Sequence, residues 1–189
     1  VMVVDAAKGQ PFTAGGELQL LRGGLYLIFD RPVEWRLETS DGTAQACGQN
    51  GFIHEYVELE QPASSVTLYL PEGTVLCQVY AFTPGQVPDW VQQWQPPCEK
   101  ADLLVLPTHA DDEHLWFGGA LPWYAGEKGY AVQVAYMTNH WGEPYRPHEL
   151  LNGLWTVGVR NYPVISDFPD LYASKELSLI HISEPTRHL

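Results

Sequence analysis

Basic residues are scarce in this sequence. Ten Lys and Arg stand against 23 Asp and Glu, a formal net charge of −13 at pH 7. A protein that grips a phosphate backbone needs a basic surface, so no nucleic-acid partner is expected. An anionic membrane surface is disfavoured for the same reason. Neutral ligands such as sugars stay open. Cysteine is also rare. Cys47, Cys77 and Cys98 have no metal-type spacing, and their odd number rules out a fully paired intramolecular framework. They read as small buried hydrophobes. No apolar run is long enough to span a bilayer, and no signal peptide is visible. The first residue is Val1 rather than Met, so an upstream segment is expected, and the compartment (cytoplasmic or extracellular) and the oligomeric state are left open. The composition of disorder, low hydrophobicity with high charge, is missing too. With 45% hydrophobic and 17% charged residues, the 189-residue chain has enough apolar material for one large domain or two small ones.

What is present divides near residue 100. Residues 1–95 read as an all-β accessory domain, a sandwich or jelly roll. Strand-like runs at 24–29, 34–39, 53–59, 65–70 and 75–82 are separated by the turn signals Asp30-Arg31-Pro32, Asp41-Gly42 and Pro71-Glu72-Gly73. The stretch 83–100 reads as a linker, stiffened by Pro96-Pro97. Beyond it the pattern changes. Residues 103–107 form a continuous apolar run, as expected of a strand buried on both faces. Residues 113–128 read as a helix stopped by Gly129, 132–137 as a second strand, and 147–156 as a second helix. Strand, helix, strand, helix predicts an α/β unit with a Rossmann-like parallel sheet.

The chemistry concentrates in the loop between the first of these strands and its helix, Thr108-His109-Ala110-Asp111-Asp112-Glu113. Ligands bind at the carboxyl ends of strands in open α/β sheets. His109 and Asp112 are three residues apart, so a tight turn can aim both at one ion. Zinc takes such nitrogen and oxygen ligands and leaves a position open in catalytic sites. Asp111 is then free to accept a proton from water. The competing reading is capping, because Asp and Glu at a helix start satisfy exposed N–H groups and oppose the dipole.

Residues 101–175 resemble the PIG-L (LmbE-like) family of zinc-dependent deacetylases, which remove acetyl groups from N-acetylglucosamine-type sugars. The family's Pro/Ala-His-Pro-Asp-Asp-Glu is matched by residues 108–113, with Ala110 in place of Pro and Thr108 in place of the small residue. Further matches are Gly118-Gly119, the strand ending in Met137-Thr138-Asn139, the Arg-x-x-Glu pattern at Arg146 and Glu149, and Val157-Gly158-Val159. The resemblance implies His109 and Asp112 as zinc ligands, Asp111 as general base, and Arg146 and Glu149 at the substrate pocket. For Arg146 and Glu149 the alternative is a solvated ion pair at a helix start. Gly118 and Gly119 are expected to permit close helix–sheet packing. The sequence departs from the family after Thr138, where Asn139-His140-Trp141-Gly142-Glu143 replaces the usual acidic pattern. His140 is expected to be a loop or pocket residue. The family's third zinc ligand is a histidine far downstream, so the expectation is a fragment, residues 96–176 being the first part of a deacetylase domain and inactive alone.

Residues 177–187 resemble a translated sequencing adapter, so 177–189 is expected to be a non-native tail whose His181 and His188 are not ligands. The β-module more loosely resembles galactose-binding-like modules. Its Tyr26, Trp35, Phe52, Tyr56 and Tyr69 read as core, with stacking on sugar rings as the functional alternative. His54 reads as a packed or exposed residue rather than a ligand. The functions in competition are a zinc-dependent hydrolase removing an N-acetyl group from a sugar or glycoconjugate, a carbohydrate-binding protein with an inactive deacetylase-like domain, and a zinc hydrolase of another amide.

Overall fold

The computed structural model describes residues 4–5, 12–14, 22–139 and 141–168. His140 and the tail 177–189, with His181 and His188, lie outside the described residues.

Two four-stranded antiparallel sheets come first. One contains β1 (Val4–Asp5), β3 (Arg22–Phe29), β6 (His54–Ala63) and β8 (Val75–Phe82) in the order β1-β8-β3-β6. The other contains β2 (Phe12–Ala14), β4 (Trp35–Thr39), β5 (Ala44–Cys47) and β7 (Val66–Tyr69) in the order β2-β7-β4-β5. Period-2 patterning explains the packing between them. Leu25, Leu27 and Phe29 of β3 share a core with Trp35 and Leu37 of β4 and with Val66 and Leu68 of β7. Each such side chain contributes about 1.5–3 kcal/mol on full burial. Asp41 shapes the β4–β5 turn by accepting bonds from Thr39 Oγ1 and the Thr43 N–H. The five strand-like runs of residues 24–82 each fall on a strand, whereas the four-residue β5 lies outside them.

The third sheet is parallel, with β9 (Leu103–Val105), β10 (Val132–Thr138) and β11 (Val164–Phe168) in the order β11-β10-β9. Helix α1 (Asp112–Phe117) and a π-helical segment (Pro122–Glu127) lie between β9 and β10. Helix α2 (Arg146–Thr156) lies between β10 and β11 and buries Leu150, Leu151 and Leu154.

The expected fold class, a truncated Rossmann-like α/β sheet of LmbE type preceded by an all-β sandwich or jelly roll, is overturned. The described chain is mostly β, with three small sheets and three short helices, the longest of 11 residues, and no Rossmann-like arrangement. The physical reasons are local. The helix expected over 113–128 breaks, because Gly118 and Gly119 have poor helix propensity and Pro122 has no N–H to donate. The apolar run after residue 102 is buried on one face only. Val105 is buried, but Leu104 and Leu106 are 54% and 57% exposed.

Glycine placement departs from expectation as well. Space around Gly119 is open, and Gly118 faces only its own turn at the His114 carbonyl, so neither brings helix and sheet together. Close approach falls instead to Gly153, where a Cβ would sit 2.6 Å from the His114 ring, and to Gly158, where it would sit 2.5 Å from Gly126 Cα. Gly158 also has φ +93°, which glycine alone adopts without strain.

Residue 95 is not a clean border between cores. Phe52 and Ile53 belong to the core built on the parallel sheet and α2, together with Trp94 and Tyr162. The Phe52 and Tyr162 rings stack at 4.5 Å, and the Ile53 N–H donates to Tyr162 Oη at 3.2 Å. Arg31 reaches across to the Trp141 carbonyl at 2.7 Å.

Candidate functional site

Strand β9 ends at Val105, and the loop through residue 111 carries the chain into α1. β10 braces it: the Met137 N–H donates to the Pro107 carbonyl, and the Thr138 N–H and Oγ1 both donate to the Thr108 carbonyl. Past these anchors the backbone turns sharply. Asp111 has φ 117°, the one positive φ outside glycine among the described residues. Such a conformation costs on the order of 1–3 kcal/mol in a residue with a Cβ and tends to be kept where a side chain must be aimed.

His109 Nδ1 lies 3.5 Å from Asp112 Oδ2, with side chains 39% and 23% exposed, so solutes reach both. The Asp112 carboxyl is held below the usual range, first by the hydrogen bond from the His109 N–H (2.9 Å), so it is ionised at neutral pH. Trp116 Nε1 donates to its other oxygen at 3.3 Å. Zinc lies about 2.1 Å from such donors. A 3.5 Å separation then subtends roughly 110° at the ion, close to tetrahedral. The pair therefore fits two corners of a zinc site. Among the described residues no group of three or more His, Cys, Asp or Glu side chains is placed to hold a metal.

Asp111, Arg146 and Glu149 meet in a cleft of about 220 Å³, which Glu113, His114 and Gly153 also line. His109 and Asp112 are not on its lining and lie beside it on the same loop. Arg146 does more than the sequence suggests. Its guanidinium donates to the Ala110 carbonyl at 2.6 Å and lies 3.6 Å from Asp111 Oδ2, fixing the strained turn from α2. The ion pair is exposed, so its direct stabilisation is about 0–1 kcal/mol, and the backbone contact is the firmer link.

Glu113 was seen in the sequence only as part of the loop. It is 1% exposed, accepts the Asp111 N–H at 3.0 Å and contacts His114 Nδ1 at 2.6 Å. Burial, and then the Glu113 carboxylate, push the phenol of Tyr136 well above its ordinary range. Asp112 and Glu113 accept the N–H groups of His109 and Asp111, which precede the helix, so they brace the turn rather than cap helical N–H groups. Asp111 makes no side-chain cap bond, and its side chain is 58% exposed.

Replacing Asp111 with Gly is expected to stabilise the fold by about 1 kcal/mol, because glycine adopts this φ freely and the exposed ion pair contributes little. Urea unfolding of the 189-residue chain measures it. A clear loss of stability would show that the Asp111 side chain, not its strain, dominates here.

The aromatic residues of the β-module divide. Tyr26, Trp35 and Phe52 are buried, as core residues should be. Tyr69 lies under the Arg36 guanidinium at 3.9 Å. Cys47 is buried and all three cysteines are free thiols. No helix among the described residues is long and apolar enough to cross a membrane. Compared with models of known protein families and with curated proteins, the sequence matches none.

Proposed function

We propose that this chain carries part of a zinc-dependent hydrolase that removes the N-acetyl group from an N-acetylglucosamine-type sugar or glycoconjugate. The observation that carries the reading is the His109–Asp112 pair, 3.5 Å apart at the end of a parallel strand, next to an Asp111 held at φ 117°. His109 and Asp112 hold the zinc, with a further donor from outside the described residues. Bound there, zinc supplies Lewis acidity toward the amide carbonyl. Asp111 takes the proton of the attacking water. Arg146 keeps the Asp111 turn in place, and Arg146 and Glu149 offer charged groups to the hydroxyls of a sugar in the adjoining cleft. The reading is supported by the order and chemistry of the motif, His-x-Asp-Asp followed by Arg-x-x-Glu, and by the meeting of Asp111, Arg146 and Glu149 in one cleft.

A second reading, a carbohydrate-binding protein whose deacetylase-like part is inactive, draws on the lack of a three-donor cluster among the described residues. Metal analysis separates the two. Zinc is to be measured in the 189-residue chain and in the longest reading frame that contains it, each beside Asp112→Ala. Zinc that falls with Asp112→Ala is expected, together with acetate release from N-acetylglucosamine glycosides by the longer protein. Equal zinc in wild type and variant would remove the ligand assignment. Zinc without acetate release, but with turnover of other amides, would redirect the substrate class.

A further inference from the structure

A second cleft, larger than the one beside Asp111, lies where the first antiparallel sheet meets α2. Its volume is about 480 Å³, within the range of roughly 300–1,000 Å³ typical of small-molecule sites. One wall comes from Tyr26, Gln78 and Tyr80 of β3 and β8, and the facing wall from Tyr145, His148 and Asn152 at α2, with Trp90 and Gln92 between them. No loop of the catalytic motif contributes to it.

We infer that this cleft is a binding site for a neutral saccharide. The inference does not rest on the deacetylase reading. Trp90 is 51% exposed and packs edge-on to Tyr80 at 5.1 Å, so an indole is held rigidly at the mouth. A ring in that state offers a face to the C–H side of a sugar. The polar complement is amide-rich and prearranged. Tyr80 Oη donates to Gln78 Oε1 at 2.7 Å, Gln92 Nε2 to Asn152 Oδ1 at 2.7 Å, and Trp94 Nε1 to Gln92 Oε1 at 2.9 Å. These contacts fix the planes of three carboxamides: Gln92 is buried and holds Asn152 in place, while Gln78 and Asn152 keep N–H donors suited to hydroxyl groups.

Charge argues against anionic ligands. No Lys or Arg lines the cleft, and Glu149 is its only carboxylate, so phosphates and carboxylates meet no cation there. The imidazoles do not supply one at neutral pH. His54 Nε2 and His148 Nδ1 are 2.8 Å apart, and Tyr26 Oη is 3.1 Å from His54 Nδ1. Burial holds both histidines neutral, and each neutral imidazole passes on one donor and one acceptor. The cleft is therefore uncharged apart from Glu149, amphipathic and held by fixed hydrogen-bonding groups, a combination suited to a neutral polyol ring. Glu149 also lines the cleft beside Asp111, so the two clefts adjoin.

The test is calorimetric titration of the 189-residue chain with neutral disaccharides built on glucose, galactose and N-acetylglucosamine, compared with Trp90→Ala, Gln78→Ala and Glu72→Gln. Saturable binding by at least one disaccharide is expected, weakened about tenfold or more by Trp90→Ala and by Gln78→Ala and unchanged by Glu72→Gln, an exposed residue on neither cleft. Thermal melts show whether each variant is folded. If Trp90→Ala is unfolded, Gln78→Ala carries the comparison. Absence of binding by every disaccharide overturns the inference. So does binding that stays at wild-type strength in both Trp90→Ala and Gln78→Ala, which places the sugar outside this cleft. That result leaves the deacetylase reading intact, and conversely loss of zinc from the motif leaves this site untouched.

Discussion

Asp111→Asn in the full-length protein is expected to lower sugar deacetylation by about 10²–10⁴-fold, the usual effect of losing a general base, and to leave zinc content as it was. The reason lies in what the substitution keeps. Asparagine tolerates positive φ better than most residues, so the turn at φ 117° survives. The side-chain amide still approaches Arg146, and the Arg146 bond to the Ala110 carbonyl does not involve it. An amide oxygen accepts hydrogen bonds but does not take a proton near neutral pH. Zinc analysis paired with acetate release therefore separates a base from a ligand. Near-normal turnover would remove Asp111 from the mechanism, whereas parallel loss of zinc and activity would make it a ligand. Asp111→Gly adds an internal check, because it should be as inactive as Asp111→Asn while being the more stable of the two.

Much of the local architecture was legible because its causes are local. Period-2 alternation placed β4 and β7, and the turns Asp30-Arg31-Pro32, Asp41-Gly42 and Pro71-Glu72-Gly73 bounded them. Helix α2 was legible from Arg146-Pro147 at its start and from the apolar spacing of Leu150, Leu151 and Leu154. The approach of His109 to Asp112 was legible too, since they are near neighbours in sequence and it requires only one tight turn.

The fold class was not legible, because an apolar run reports the composition of a strand and not what covers it. Leu104 and Leu106 look like the interior of a doubly covered sheet, yet both are exposed among the described residues. Long-range partners escaped for a related reason. His54 and His148 are 94 residues apart, and neither sits in a pattern that predicts the other. Glu113 was visible only as one more acid in an acidic loop, and its burial beneath His114 depends on Gly153 admitting that ring. Sequence hints of the second cleft were Tyr26, read as core with sugar stacking as its alternative, and the alternation that put Gln78 and Tyr80 on the same face of β8.

Acidification is expected to destabilise the fold through the His54–His148 contact, well before most carboxylates are protonated. His54 is 2% exposed, and its pKa is pushed down to about 3, first by burial and then by His148. His148 is lowered as well, chiefly by burial, with Asp30 pulling the other way. Tyr26 and Gln92 are the other polar groups facing His54, and at acid pH both are uncharged, so nothing there compensates an imidazolium. Between pH 6.5 and about 3 the unfolded chain binds the His54 proton and the folded chain does not, so stability falls as pH falls. At pH 4.5 the loss from His54 alone is on the order of 3 kcal/mol relative to neutral pH. Asp112, whose pKa is lowered, adds to the loss, whereas Glu55, raised by burial, takes up a proton more readily in the folded state and opposes it. Urea unfolding from pH 7.5 to 4.5 reads the sum. His54→Gln should be less stable at pH 7.5 but lose about 1.4 kcal/mol less per pH unit below 6. A variant that retains the wild-type slope would show that the proton-sensitive contact between sheet and α2 is not His54.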